Sequence, residues 1–421
     1  MDTWRRNFLI LWTGQFVSIS GLTVMVPLMP LFIEELTGTS GEAAAWWTGV
    51  CLAAPAVTSL FCAPLWGRLG DEWGRKWMVV RALGGLVISL ALMGFCRSPW
   101  QFLLCRLFQG ACGGVVDAAA AFAGSEAPPE RKGQVLGRLN AATAAGSVLG
   151  PLMGGMLADL AGFRSLFFIM AALTGVLTVT AACFLRETNI VRQRESQEKS
   201  AVRPLKEAWL SLVRHRETRA FLCGGVFAQA GIYGVTAVFA LHVAALSGDS
   251  SMAATWVGLL QAVTWLSVMV ASPWWGKRND TKPVHVSFVW AALGCGISVM
   301  IQAWVTDVGW LVPLRMVQGA LFSALIPSVF CQICRSGDPR LHGTRVGLAN
   351  SCLTGGQIQG SLLASACLVT LSTPWVLMVM GGLFIVGAAW VAVGKIPQAD
   401  SGRSCPAVHA FTGETSEGQT G

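Results

Sequence analysis

Residues 63–76 read APLWGRLGDEWGRK, and residues 272–280 read SPWWGKRND. A small residue, a proline, an apolar residue, a tryptophan, a glycine and a base follow in the same order, with an aspartate three residues beyond the base. The two copies lie 209 residues apart. At the same offset, Arg106-Leu-Phe-Gln109-Gly110 matches Arg315-Met-Val-Gln318-Gly319. At an offset of 210, Gly133, Gly137, Asn140, Gly146 and Gly150 match Gly343, Gly347, Asn350, Gly356 and Gly360. Three blocks in register across half of a 421-residue chain mark two related halves.

The material between the blocks says what kind of halves these are. The chain is 53% hydrophobic and 12% charged, about half the charge of a soluble domain. Apolar runs of ~20 residues, each long enough to cross a bilayer core, recur from end to end. They predict spans at 8–33, 45–69, 78–95, 100–122, 136–160, 163–185, 220–244, 254–275, 284–304, 309–331, 345–369 and 373–394. The opening MDTWRRNFLILW is the start of the first span, since its apolar run passes Pro27 and Pro30 without a cleavage signature. The expected fold is an all-α membrane protein of twelve transmembrane helices in two pseudo-symmetric six-helix bundles. Its domains are 1–185, a linker over 186–219, a second bundle over 220–395 and a disordered tail over 396–421. In the linker, Leu205, Trp209 and Leu212 are spaced for one helical face. The pattern suits a helix lying on the membrane surface, but a linker helix without a specific partner is the simpler account and the one expected. A layout of two repeated halves belongs to transporters, with the site near the midplane between them.

Charge placement orients the chain. Of the 30 Lys and Arg residues, twenty-six fall on the face that carries the termini and the even-to-odd loops. Arg97 and Arg164 lie on the opposite face, while Arg106 and Arg315 lie inside spans. A basic face is a cytoplasmic face, so both termini are expected in the cytoplasm and the protein in the cytoplasmic membrane. The net charge of +8 is then a topology signal, and nucleic acid is not an expected partner. The 13 cysteines sit mostly within apolar runs, where small buried thiols are ordinary. Cys331-x-x-Cys334 lacks a second ligand pair, so no metal or other cofactor is expected. No nucleophile–base pair or nucleotide loop supports an enzyme.

Three motifs together resemble those of a major facilitator superfamily transporter, within the twelve-span drug:proton antiporter branch. The loop between spans 2 and 3 matches the family pattern G-x-L-A-D-R-x-G-R-K at Gly67, Leu69, Asp71, Gly74, Arg75 and Lys76, with a degenerate copy ending at Asp280. Span 4 matches R-x-x-x-G at Arg106 and Gly110. Span 5 matches G-x-x-x-G-P-x-x-G-G in full at Gly146, Gly150, Pro151, Gly154 and Gly155. The resemblance implies that the first loop is a cytoplasmic gate, that Arg106 takes part in proton coupling, and that transport runs outward. Physically, Gly67, Gly70 and Gly74 permit a tight turn. Asp71 can accept hydrogen bonds from a helix N-terminus of the other half. In span 5 the glycine stripe admits a neighbouring helix.

Arg106 and Asp117 are eleven residues apart, which returns them to nearly one face of a continuous helix. An ionisable group at membrane depth is a functional candidate, so Asp117 is a second candidate for proton coupling. The branch often places an acid in span 1, whereas here that span offers Gln15, Ser18, Ser20 and Thr23. Gln15, Gln109, Asn140, Gln229, Tyr233, Arg315, Asn350 and Gln357 are candidates to line the substrate cavity, although interhelical hydrogen bonding also accounts for such residues. The expected protein is a monomer that exports small organic molecules in exchange for protons. Its cargo is either a range of drugs or one endogenous metabolite such as a siderophore. Arg106 and Arg315 would suit an anionic chelator. An uptake symporter and a non-transporting sensor are the alternatives.

Overall fold

The computed structural model describes residues 3–38, 42–127, 132–187, 205–247, 252–336 and 341–394. The disordered tail expected over 396–421 and half of the linker, 188–204, lie outside them. Without water, a bilayer core forces backbone groups to bond within a helix, and every described segment of regular structure is helical. The first half comprises α1 (Thr3–Thr37), α2 (Glu42–Trp73), α3 (Arg75–Phe95), α4 (Pro99–Ala111), α5 (Val115–Glu126) and α6 (Lys132–Phe184). After the short α7 (Leu205–Arg214), the second half comprises α8 (Arg216–Ser247), α9 (Ala253–Thr281), α10 (Val284–Gln302), α11 (Leu311–Arg335), α12 (His342–Thr370) and α13 (Thr373–Gly394).

Among the described residues these helices make twelve crossings, although helices and spans do not correspond one to one. The 53 residues of α6 would run ~80 Å if straight. Gly162, at φ 80 and ψ 160, instead folds the segment into spans 5 and 6. Span 4 is two helices. Cys112 and Gly113 are not helical, and Gly114 is left-handed at φ 96. The eleven-residue face expected to unite Arg106 with Asp117 therefore does not exist, because the helix restarts between them.

The first loop also differs from expectation. α2 continues to Trp73, so Gly67, Leu69, Gly70 and Asp71 are helical, and only Gly74, at φ 93, makes the turn. Gly70 instead admits the side chain of Met78, which a Cβ would meet at 2.9 Å. On α7, Ala208 and Leu212 are buried while Trp209 is exposed. The buried stripe thus runs through 208 and 212 and omits Trp209.

The sequence repeat is reproduced contact for contact. Trp66 donates from Nε1 to the carbonyl of Ala111 (2.6 Å), and Trp275 donates to that of Ala320 (2.8 Å). Gly110 lies against the Pro55 carbonyl and Gly319 against that of Thr264. Gly146 and Gly150 lie against the Phe16 and Ser20 carbonyls, as Gly356 and Gly360 lie against those of Val226 and Ala230. Each pair of partners is again 209 or 210 residues apart. Glycine is required where a Cβ would sit 2.0 to 2.7 Å from a neighbouring carbonyl oxygen, and such approach is how helices pack in lipid.

Candidate transport site and gates

The two halves meet tightly on one side only. Towards the face opposite the termini, Gly155 and Gly258 join α6 to α9, with the Ala254 and Pro151 carbonyls against them. Gly49 joins α2 to α12, against the Ser361 carbonyl and the Ser365 hydroxyl. Towards the basic face the corresponding small residues are free: a Cβ on Gly67, Gly133, Gly137, Gly343 or Gly347 would meet nothing within 4 Å. The structure is closed on one face and open on the basic one.

The opening is a cavity of about 630 Å³ between α2, α3, α4, α5 and α12. Arg75, Arg81, Trp66, Asp117, Asn350 and Thr354 are among its walls. The break in span 4 forms part of it. Arg81 donates from Nη1 to the Cys112 carbonyl (3.1 Å) and from Nη2 to that of Gly113 (3.0 Å). Its guanidinium lies 3.8 Å from the Trp66 ring centroid, a cation–π distance. Arg81 thereby bonds the carbonyls that the missing helical turn leaves free. Asp117 is the third residue of α5, where the helix N-terminus favours negative charge, and it lines the cavity.

The first loop is tied down within its own half. Glu187, just beyond α6, accepts hydrogen bonds from the backbone N–H groups of Arg75 and Lys76, both at 3.1 Å. It thereby caps α3, whose cap residue Gly74 has no side chain to do so. Arg75 donates from Nη1 to the Ala121 carbonyl on α5 (2.5 Å). Asp280, in the degenerate copy, is exposed, whereas its neighbour Asn279 is buried and donates to Ser328 Oγ (3.1 Å). Glu187 was missed in the sequence because the capping contact spans more than a hundred residues.

The two span arginines are not among the residues that line the cavity. Arg106 donates from Nε to the Cys51 carbonyl (3.1 Å) and from Nη1 to Gln109 Oε1. Arg315 donates from Nη1 to Gln318 Oε1 (3.2 Å), and its guanidinium carbon lies 3.2 Å from the Phe239 ring centroid. Gln302 donates to the same Gln318 oxygen (3.0 Å), and His242 donates from Nε2 to the Gln302 carbonyl (2.9 Å). Both guanidinium groups are buried, at 4% and 2% exposure. Neither has a carboxylate partner among the described residues, and Arg315 Nε and Nη2 have no hydrogen bond. A buried, unpaired charge costs several kcal/mol, so an anion entering here would relieve that cost.

The remaining candidates separate. Asn350 lines the cavity, whereas Asn140, its mate, is exposed outside it. Gln229, Tyr233 and Gln357 are half-buried. Gln15 is not a cavity residue: it is buried within its own half and donates to the Leu139 carbonyl (3.1 Å) and Thr143 Oγ1 (2.6 Å). Gly146, Gly150 and Gly154 seat α1 against α6, and Gly155 seats α9.

Repeated six-span halves, packed closely on one face and parted by a cavity on the other, define a secondary transporter fold. The Major Facilitator Superfamily profile matches residues 11–280 and 221–408, and the chain belongs to that family. It is 39% identical over 394 residues to the staphyloferrin B transporter of Staphylococcus aureus, covering 93% of this chain and 94% of that one. The multidrug resistance protein MdtG of Proteus mirabilis is 30% identical over 365 residues, covering 86% of this chain and 89% of that one. Among solved structures, the nucleoside transporter NupG superposes with a TM-score of 0.74 at 15% identity, covering 94% of this chain and all of that one. The human organic anion transporter MFSD10 superposes at 0.63 with 17% identity, covering 93% and 100%.

Proposed function

We propose that this transporter exports a small organic anion of the siderophore kind across the cytoplasmic membrane in exchange for protons. The observation that carries the substrate class is the pair Arg106 and Arg315. They are two buried guanidinium groups in equivalent positions of the two halves, neither with a carboxylate partner among the described residues. An anionic cargo supplies the missing counter-charge, and charge-assisted hydrogen bonds to it are the strong kind. The 39% identity to a staphyloferrin B transporter supports the same class. The complete span-5 motif supports outward transport.

Alternating access supplies the mechanism. Cargo enters the basic-face cavity past Trp66, Arg81 and Asn350, the halves rock about the span arginines, and the opposite face opens. Asp117 and Arg106 are the groups assigned to proton coupling. The basic loops put that face in the cytoplasm, and the working unit is a monomer. The domains run 1–185, 186–219, 220–395 and 396–421.

Deleting the gene and profiling small molecules inside and outside cells, with and without iron limitation, tests this reading. One anionic chelator retained in the cells and missing from the medium is expected. The MdtG relatives favour a second reading, efflux of many drugs. It predicts an unchanged metabolite profile and sensitivity to added drugs and dyes.

A further inference from the structure

The closed face is built from two seams that the internal repeat relates to each other. In one, Gly258 of α9 meets the Pro151 carbonyl of α6; in the other, Gly49 of α2 meets the Ser361 carbonyl of α12. Gly258 and Gly49 are 209 residues apart, and Pro151 and Ser361 are 210 apart. Backbone approach therefore closes both seams alike.

One seam carries a carboxylate that the repeat does not copy into the other. Asp159, one turn beyond Gly155 on α6, crosses between the halves to the start of α9. Its Oδ1 accepts from the Ala254 N–H (3.3 Å) and its Oδ2 from the Thr255 N–H (2.6 Å). The N-terminal residue of α9 is Ala253 and its cap position is Met252, which provides no side-chain hydrogen bond. A helix N-terminus exposes unbonded N–H groups and partial positive charge, so the cap that α9 lacks in its own half comes from the other half. At the equivalent place in the second seam the chain has Val369, and the residues matching Ala254 and Thr255 are Ala45 and Trp46. The carboxylate is thus an asymmetric addition to a symmetric closure.

We propose that Asp159 is the latch of the face opposite the termini, holding the halves together there while the basic face is open. Opening that face pulls α9 away from α6 and strips both N–H groups of their acceptor. The cap must then break and re-form in every cycle. The chemistry is the one expected of Asp71 on the basic face, so each closed face would hold by a carboxylate set on a helix N-terminus of the other half. The latch presupposes the alternating-access cycle proposed above, but not the cargo.

Hydrogen exchange on the full-length protein in nanodiscs, without substrate, tests it. In Asp159→Ala the amides of 253–258 should exchange about tenfold faster, and those of 343–354, at the basic-face cavity, should exchange more slowly as that face closes. Unchanged rates in both segments overturn the proposal. Faster exchange confined to 253–258 also overturns it, since that is the signature of a local cap. Should Asp159→Ala fail to fold, Asp159→Asn keeps one acceptor oxygen without the charge. It should give both changes at smaller size, and wild-type rates in both segments would again refute the latch. A wrong cargo or direction of transport would leave all of these rates as expected.

Discussion

Arg106 and Arg315 stand 209 residues apart in the chain and make the same bond, each donating from Nη1 to the Oε1 of the glutamine three residues on. The two environments then diverge. Arg106 adds a bond to the Cys51 carbonyl, whereas Arg315 rests on the Phe239 ring with Nε and Nη2 free of hydrogen bonds. Arg315 is therefore the better placed to take a new acceptor.

Replacing Arg315 with Gln should weaken binding of an anionic cargo by about 10- to 100-fold, the worth of hydrogen bonds to a charged group. The protein should remain folded, because a costly buried charge is removed. Isothermal titration beside a melting curve separates the two effects. Unaltered affinity would remove Arg315 from the cargo site.

Asp117→Asn should abolish the pH dependence of transport in proteoliposomes while leaving insertion normal. The residue lines the cavity at the start of α5 and is the acid assigned to proton coupling. Full pH-dependent transport in the variant would exclude it.

Gly347 meets nothing on the open face, so Gly347→Trp should fold and melt as the wild type does. The same indole should obstruct closure of the basic face and stop turnover. Gly360→Leu should behave in the opposite way. Its Cβ would lie 2.0 Å from the Ala230 carbonyl oxygen, and overpacking of this kind costs about 1–3 kcal/mol, read as a lower melting temperature.

Glu187→Ala should remove the cap from α3 and lose about 1 kcal/mol. Hydrogen exchange should quicken at 75–78, with 253–258 unaffected. Equal exchange at 75–78 in both proteins would show that the carboxylate is dispensable to the loop.

Much of the fold was legible because a membrane span is a local property. Twenty apolar residues declare a crossing wherever they stand, and the 209-residue echo of Pro64-Leu65-Trp66-Gly67 declared the halves. Breaks inside spans were legible only in part. Gly113-Gly114 is a local helix breaker, and its repeat counterparts Phe322-Ser323 lie in the unbroken α11. What holds the break is not local, since Arg81 of α3 takes the freed carbonyls of Cys112 and Gly113. Likewise, Gln15 was a cavity candidate by composition and became an intra-half bond only when α6 brought Thr143 to it.

Composition and repetition by themselves determined that this chain is a twelve-span, two-fold membrane protein with arginines matched across its halves. The reason is that lipid forces every polar departure to be conspicuous. Which face is open, which glycines bear load and which aspartate joins the halves were decided only in the tertiary structure. Those properties belong to pairs of surfaces, and Asp159 meets Ala254 and Thr255 across some ninety-five residues of chain.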